Sequence, residues 1–321
     1  MSNRVLAVSL FLIPLTAWSA GIAQVQKLLE EMQRAAHTQS YDGTFVYSQD
    51  SQLSAMRIIH SAEKDGERER LVALDSSGRE VVRDRKSVTC YLPDRNAMVV
   101  EKERPPLQFP PPFPDKVEHL TPIYDFKIEE DEEKVAGQLT RKLVITPKDR
   151  YRYGHHLWVD KQTGLLLKTN LLDEQGKVIE QFMFTHIRYL EHVPDKLLQP
   201  EVDDSQLTRY EAGKMANNPQ HKSTAHAWRI GELPPGFKRD LQRKHTRAEG
   251  KHPLDHLVFS DGLASISVFI ESPNSAGQLQ GETRMGAVNA HGYQTNGYHI
   301  TAVGEVPQVT VKIVSQAVMV K

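Results

Sequence analysis

The stretch RYRYGHHLWVDKQTGLLLKTNLLDEQGKVIEQFMFT, Arg150 to Thr185, reads as three antiparallel strands with both connecting turns written into it. Leu157 and Val159 alternate with His156 and Trp158. Asp160 to Gly164 then supplies turn chemistry, with Gly164 able to take positive φ at no Cβ cost. Leu165 to Leu172 is the return strand and Asp173 to Gly176 the second turn. Val178 to Ile187 follows as the third strand, setting Ile179, Gln181 and Met183 against Glu180, Phe182 and Phe184. Links this short cannot cross over to a parallel neighbour, so the meander is antiparallel.

Apolar side chains occupy both parities of these strands. Leu165, Leu167, Thr169 and Leu171 point one way and Leu166 and Leu172 the other, while Phe182 and Phe184 oppose Met183. A sheet with one face in water alternates cleanly, so both faces of this one are expected to be covered. Either a helix and loops cover the second face, or a lipid does, since periodicity alone does not separate a packed core from an apolar cavity. Leu165, Leu167, Phe182, Met183 and Phe184 are the candidate lipid-facing residues.

Upstream, GTFVYS, LSAMRIIHS, ERERLVALD, REVVRD, SVTCYL and AMVVEK fill Gly43 to Lys102 as short strands between polar turns, which with the meander makes one strongly curved antiparallel sheet. Ahead of them Val25, Leu28, Leu29, Met32, Ala35 and Ala36 recur at helical spacing, an amphipathic helix suited to covering one face. Arg104 to Lys116 holds six prolines and is excluded from any sheet interior; it is either a lid carrying Leu107, Phe109 and Phe113 or a stiff connection, after which Asp115 caps a short helix. The acidic run Glu129 to Lys134 reads as a solvated hairpin.

Periodicity vanishes between Glu191 and Ala225, which marks a boundary. Beyond it, WRIGELPPGF opens a second module. Phe237 to Arg247 pairs with Leu254 to Ser260, Asp261-Gly262 turns into Leu263 to Glu271, and strands near Arg284 to Ala290 and Tyr298 to Gly304 follow. A terminal helix starts at Pro307 with Val306, Val309, Ile313, Ala317 and Val320 on one face. The fold class is thus α+β: one strongly curved antiparallel sheet packed on a helix, plus a small antiparallel sheet with one helix. The expected division is a signal peptide at 1–23, the curved-sheet domain at 24–195, a linker at 196–224 and the second domain at 225–321.

Arg4, the apolar run Val5 to Leu15 and small residues at Ala17, Ser19, Gly21 and Ala23 compose a secretory signal, with cleavage expected between residues 19 and 23. No later run reaches the ~20 apolar residues of a membrane span, so a soluble, exported protein is expected. A net charge of -1 over 321 residues leaves no field to collect phosphates and argues against nucleic acid. Cys90 is the only cysteine, so no disulfide staples the domains, and its alternation with Val88 and Leu92 marks a buried small side chain.

No nucleophile elbow, HExxH, phosphate-cradling glycine loop or cysteine cluster is present, and the 14 histidines are scattered. His155 and His156 are adjacent on a strand and face opposite ways. No catalytic residue, metal or cofactor is expected. One cluster stands out, KRDLQRKHTRAEGK from Lys238 to Lys251. Its Lys238, Arg239, Arg243 and Lys244 are a candidate patch for an anionic partner or, equally, a strand edge kept soluble by charge.

YDGTFVY at Tyr41, REVVR at Arg79, YDF at Tyr124, VAG at Val135, TPKDRYRYGHHLWVDKQTGLLLK at Thr146, EQFMFT, WRIGELPPGF, FSDGLASISVFIE and TAVGEVP together resemble the RseB/MucB family of envelope-stress regulators, over nearly the whole mature chain. DxxTGLLLK is shared with lipoprotein carriers; the two-domain order with LPPGF and the SDGLASISVFIE hairpin is more specific. The resemblance implies a half-barrel similar to LolA and LolB, and a protein that binds the periplasmic domain of a membrane anti-sigma factor of the RseA/MucA kind. It also implies shielding of that factor from the initiating protease, and release by lipopolysaccharide or by lipoprotein acyl chains. The alternative is a periplasmic lipoprotein or lipid carrier, which needs only the half-barrel; a hydrolase ranks below both.

Overall fold

A computed structural model describes residues 15–50, 52–63, 66–102, 116–211, 228–246, 253–271 and 278–320. The first element is α1 (Leu15–Thr38), which begins inside the expected signal segment and runs on without a break. Its Val25, Leu28, Leu29 and Met32 are buried against Leu143, Ile145, Leu157, Val159 and Leu166, so the helical stripe covers part of one sheet face, called the inner face below.

Strands β1 (Tyr41–Gln49), β2 (Gln52–Glu63), β3 (Gly66–Ala73), β4 (Glu80–Arg83), β5 (Ser87–Leu92) and β6 (Ala97–Lys102) form consecutive antiparallel hairpins. A second run contains β7 (Tyr124–Val135), β8 (Gln138–Pro147), β9 (Gly154–Asp160), β10 (Leu166–Leu172) and β11 (Val178–Tyr189). The two runs join where β1 pairs with β11, giving one sheet ordered β6-β5-β4-β3-β2-β1-β11-β10-β9-β8-β7. The sheet is open and curved, as the alternation of short strands and polar turns predicts.

At the meander's first turn, the Asp160 carboxylate accepts from the Gln162 and Thr163 amides, and Gly164 adopts φ +79°. A Cβ there would stand 3.1 Å from the Glu31 carbonyl oxygen, so this glycine serves both the turn and the seating of α1. The acidic run lies on β7, an edge strand, and is more paired than a solvated hairpin would be. Glu129 meets Lys142 at 2.9 Å, Glu132 meets Lys161, and Glu133 accepts from the Trp158 indole. Charge on an exposed edge also discourages pairing with another chain.

Two sequence expectations change in the connecting segments. The proline-rich lid at 104–116 lies outside the described residues except for Lys116, and it is Lys116 that precedes the short 3-10 turn Val117–His119, with no side-chain cap. Much of the expected linker belongs to the half-barrel: β12 (Thr208–Glu211) adds to β6 as a twelfth, parallel strand. Val193 and Leu198 bury against Ile59, and Val202 and Leu207 pack on Tyr91 and Met98. These anchors sit at irregular spacing, which is why no period betrays them.

The second domain consists of β13 (Trp228–Ile230), β14 (Lys238–Thr246), β15 (Pro253–Ser260), β16 (Ser265–Glu271), β17 (Gly281–Met285), β18 (Val288–Thr295), β19 (Tyr298–Gly304), α2 (Gln308–Ala317) and β20 (Val318–Val320). Its six-stranded antiparallel sheet is ordered β14-β15-β16-β19-β18-β17, with β13 and β20 paired separately. The single strand expected at Arg284 to Ala290 is a hairpin, with Gly286 and Ala287 between β17 and β18. The terminal helix stops at Ala317, and its buried face carries Thr310, Val311, Val314, Ser315 and Ala317, with Val309 and Ile313 only half-buried. The valine-rich tail continues as β20 because it is claimed by Trp228 and Ile230 of β13.

Candidate functional site

A cavity of about 720 Å³ opens on the inner face, beyond the end of α1. Tyr41 and Phe45 of β1, Leu157 of β9, Leu166 and Leu171 of β10, and Phe182 and Phe184 of β11 supply much of its apolar wall. The rings interlock: Phe45 and Phe182 lie 4.8 Å apart between centroids, and Phe182 and Phe184 meet edge to face at 5.2 Å. Gly43 makes room for this, since a Cβ on it would fall 2.6 Å from Phe184 Cε1.

Of the five candidate lipid-facing residues, Leu165, Phe182 and Phe184 line this cavity, whereas Leu167 and Met183 do not. The register explains both departures. Leu166 pairs with Val159 but Lys168 with Trp158, so an irregularity at Leu167 breaks the alternation, and Leu167 is buried in core beside Trp158 and Ala35. Beyond the break Thr169 and Leu171 face inward in its place. Met183 pairs with Val46 and Lys168, on the parity opposite Phe182 and Phe184.

Polar groups gather at two places on the wall. Near the end of α1, His37 Nδ1 lies 2.9 Å from a Glu67 carboxylate oxygen, and Arg83 stands 3.8 Å from Glu69. Elsewhere on the lining Glu180 accepts hydrogen bonds from Tyr47 Oη (2.8 Å), Gln49 Nε2 (2.6 Å) and the Ala287 amide (3.1 Å). Glu305 lines the cavity with it, and burial together with the Glu180 charge pushes its carboxyl up to about 7. His155 also lines the wall, opposite in direction to His156, and burial pushes it down to about 4, so it is neutral at neutral pH. Cys90 lies on the wall too, half-buried.

Leu263 and Glu305 belong to the second domain, so the cavity is walled by both domains. The seam between them is built on Arg152, whose side chain is wholly buried. Its Nη1 donates to Asp261 at 2.8 Å and its Nε to Asp149 at 3.1 Å, Nη2 donates to the Pro235 carbonyl, and the guanidinium lies 5.3 Å and 5.2 Å from the Tyr124 and Phe237 rings. Tyr124 Oη donates to the same Asp261 carboxylate. Asn289 Nδ2 donates to Tyr153 Oη at 2.9 Å, and Thr310 Oγ1 to the Tyr151 carbonyl at 2.8 Å. The strand pattern of Arg150 to Thr185 does not single out the RYRY run. Its signal was the density of arginine and tyrosine in four residues, a composition suited to satisfied polar burial.

The basic cluster lies on β14, an edge strand. Lys238 and Arg239 are exposed, and the side chains of Arg243 and Lys244 are outside the described residues. Among the described residues no group of three or more His, Cys, Asp or Glu is placed to hold a metal ion, and no helix is long and apolar enough to cross a membrane.

A curved half-barrel around an apolar cavity, closed on one side by a second α+β domain, defines a two-domain binding protein. The chain belongs to the MucB/RseB family: the MucB/RseB N-terminal domain model matches residues 24–202 and the C-terminal domain model residues 222–319. It is similar to the Sigma factor AlgU regulatory protein MucB of Pseudomonas aeruginosa, at 31% identity over 97% of this chain and 94% of the relative. The Sigma-E factor regulatory protein RseB of Haemophilus influenzae is 25% identical over 97% and 96%. The crystal structure of MucB in complex with MucA(peri) superposes with a TM-score of 0.67 at 29% identity, covering 92% of this chain and 98% of that one. The Pseudomonas aeruginosa MucA/MucB complex gives 0.68, over 93% and 99%.

Proposed function

We propose that this chain is a periplasmic regulator that binds the periplasmic domain of a membrane anti-sigma factor of the MucA/RseA kind, shields it from the initiating protease and so restrains an envelope-stress sigma factor. The observation carrying this reading is that both domains, and not the half-barrel alone, match the MucB chain of the MucB–MucA(peri) complex. Such a protein acts by occlusion and makes or breaks no bond. Export follows from the leader, with cleavage placed between residues 19 and 23. Release is assigned to an acyl chain, from lipopolysaccharide or a lipoprotein, entering the cavity against Phe182, Phe184 and Leu165. Because both domains wall the cavity, an occupant there is linked to how the domains sit, and through that to the partner.

The test is calorimetric titration of the mature protein, and of each domain alone, with the periplasmic region of the cognate anti-sigma factor, alongside a digestion of that region by the initiating protease. The two-domain protein should bind more tightly than either part and slow the cleavage. Full affinity in the isolated half-barrel, or no protection, would sink the reading. A lipid carrier is the second reading, favoured by the cavity itself; it predicts acyl-ligand transfer to an acceptor membrane without any effect on the anti-sigma factor.

A further inference from the structure

We propose that Glu180 is the residue through which an occupant of the cavity acts on the second domain. Its carboxylate is at once cavity wall and anchor of the β17–β18 turn, and an acyl chain laid against it releases that turn. The inference rests on the acyl-site reading above and names the contact by which release is transmitted. Two successive amides of the turn meet two carboxylates of the half-barrel: Gly286 N donates to Asp50 Oδ2 and Ala287 N to Glu180 Oε1, each at 3.1 Å. The approach is close because the turn is bare there. A Cβ on Gly286, whose φ is +60°, would fall 1.8 Å from Gln49 Nε2, and Gln49 itself donates to Glu180. Ala287 is fully buried, in one core cluster with Leu171 of the cavity wall.

The other hydrogen bonds named across the seam are made by Arg152, Tyr124, Tyr153 and Thr310, none of which lines the cavity, and neither does Asp50. Glu180 does, and Leu171 faces it across the β10–β11 ladder. Hydrocarbon laid against a carboxylate takes away its water and offers no donor in return, which is costly. Turning Glu180 out of the wall restores that water but gives up Tyr47, Gln49 and Ala287. The two costs are of the same order, so occupancy sets the balance between them. Tyr47 and Gln49 belong to the domain of Glu180 itself; the bond from Ala287 is the one that crosses the seam. A bond to an ionised carboxylate is roughly twice as strong as a neutral one, so its loss loosens the turn. By reciprocity the docked turn opposes the chain as much as the chain opposes docking.

The experiment follows hydrogen exchange at the Gly286 and Ala287 amides of the full two-domain protein by NMR, without and with saturating monomyristoylglycerol, whose binding is measured calorimetrically. The glyceride should speed exchange at Ala287 about tenfold. The amide of Val268, in the core of the same domain, should be unaffected. In Glu180→Gln, exchange at Ala287 should be fast already in the free protein, the glyceride should add nothing to it, and the glyceride itself should bind severalfold more tightly. Asp50→Asn loosens the same turn at a residue off the cavity, so exchange should again be fast but the response to the glyceride should persist. Binding with Ala287 exchange unmoved, or a Glu180→Gln variant that responds like the native protein, overturns the coupling role of Glu180 while leaving the acyl site standing. No binding overturns the acyl site and the inference with it.

Discussion

The Nη1 of Arg152, ahead of β9, lies 2.8 Å from the Oδ2 of Asp261, in the turn after β15, and both side chains are 0% exposed. Two domains thus meet through a fully desolvated ion pair. Such a pair contributes little net stability when intact, because desolvation offsets the attraction, yet breaking it leaves one charge stranded. The seam is therefore a specific docking geometry, not a loose contact between independently moving parts. In Asp261→Asn the Oδ1 that accepts from the Leu263 and Ala264 amides is retained, so the turn survives, while an NH₂ donor replaces the Oδ2 that accepts from Arg152 Nη1 and Tyr124 Oη. Urea unfolding should show a loss of about 3–5 kcal/mol, with the single transition splitting in two as the domains uncouple. An unaltered single transition would show that the pair does not couple the domains.

Occupancy of the cavity should depend on parity, not merely on apolar character. Thr169→Trp, on the lining, should fill the space and abolish acyl binding, while Met183→Trp, on the other face, should leave it intact. For the native protein, affinity should rise about fourfold per added CH₂, the equivalent of ~0.8 kcal/mol, until the cavity is full. Fluorescence displacement across a series of chain lengths measures both, and equal behaviour of the two tryptophan variants would place the ligand elsewhere.

His155 gives the stability a pH dependence of known sign. Burial depresses it from 6.5 to about 4, so the unfolded chain binds more protons than the folded one between those values. Stability contributed by the neutral form is present above the unfolded value and lost as pH falls from 6.5 towards about 4. The loss should be on the order of 1–3 kcal/mol, and His155→Phe should remove that part of the slope. Denaturation midpoints of the two proteins across that pH range decide it: parallel curves would contradict the assignment.

Charge reversal on the β14 edge tests its two roles. With Lys238, Arg239, Arg243 and Lys244 changed to glutamate, binding of the anti-sigma periplasmic region should weaken and its salt dependence flatten. Unchanged affinity and slope, with increased self-association of a neutralised variant, would instead assign the charges to edge protection.

The strands, their order within the meander, the helix over the inner face and the two-domain division were legible because each follows from local rules. Period two, period 3.6 and turn residues are properties of neighbours in the chain. The apolar excess on both parities of β9 to β11 likewise announced a covered second face. By itself, then, the sequence determined most of the elements, the strong curvature of the antiparallel sheet and the presence of something apolar on each side of it. What lines the cavity was decided only in three dimensions. One irregularity between Leu166 and Lys168 re-aims a strand, and nothing in the local pattern distinguishes it from regular alternation. The seam was hidden for a related reason. Arg152 and Asp261 are over a hundred residues apart, and a buried ion pair is invisible until folding removes both partners from water together. β12 and the anchors Val193, Leu198 and Val202 belong to the same class: their positions are set by the surfaces they land on, not by any period of their own.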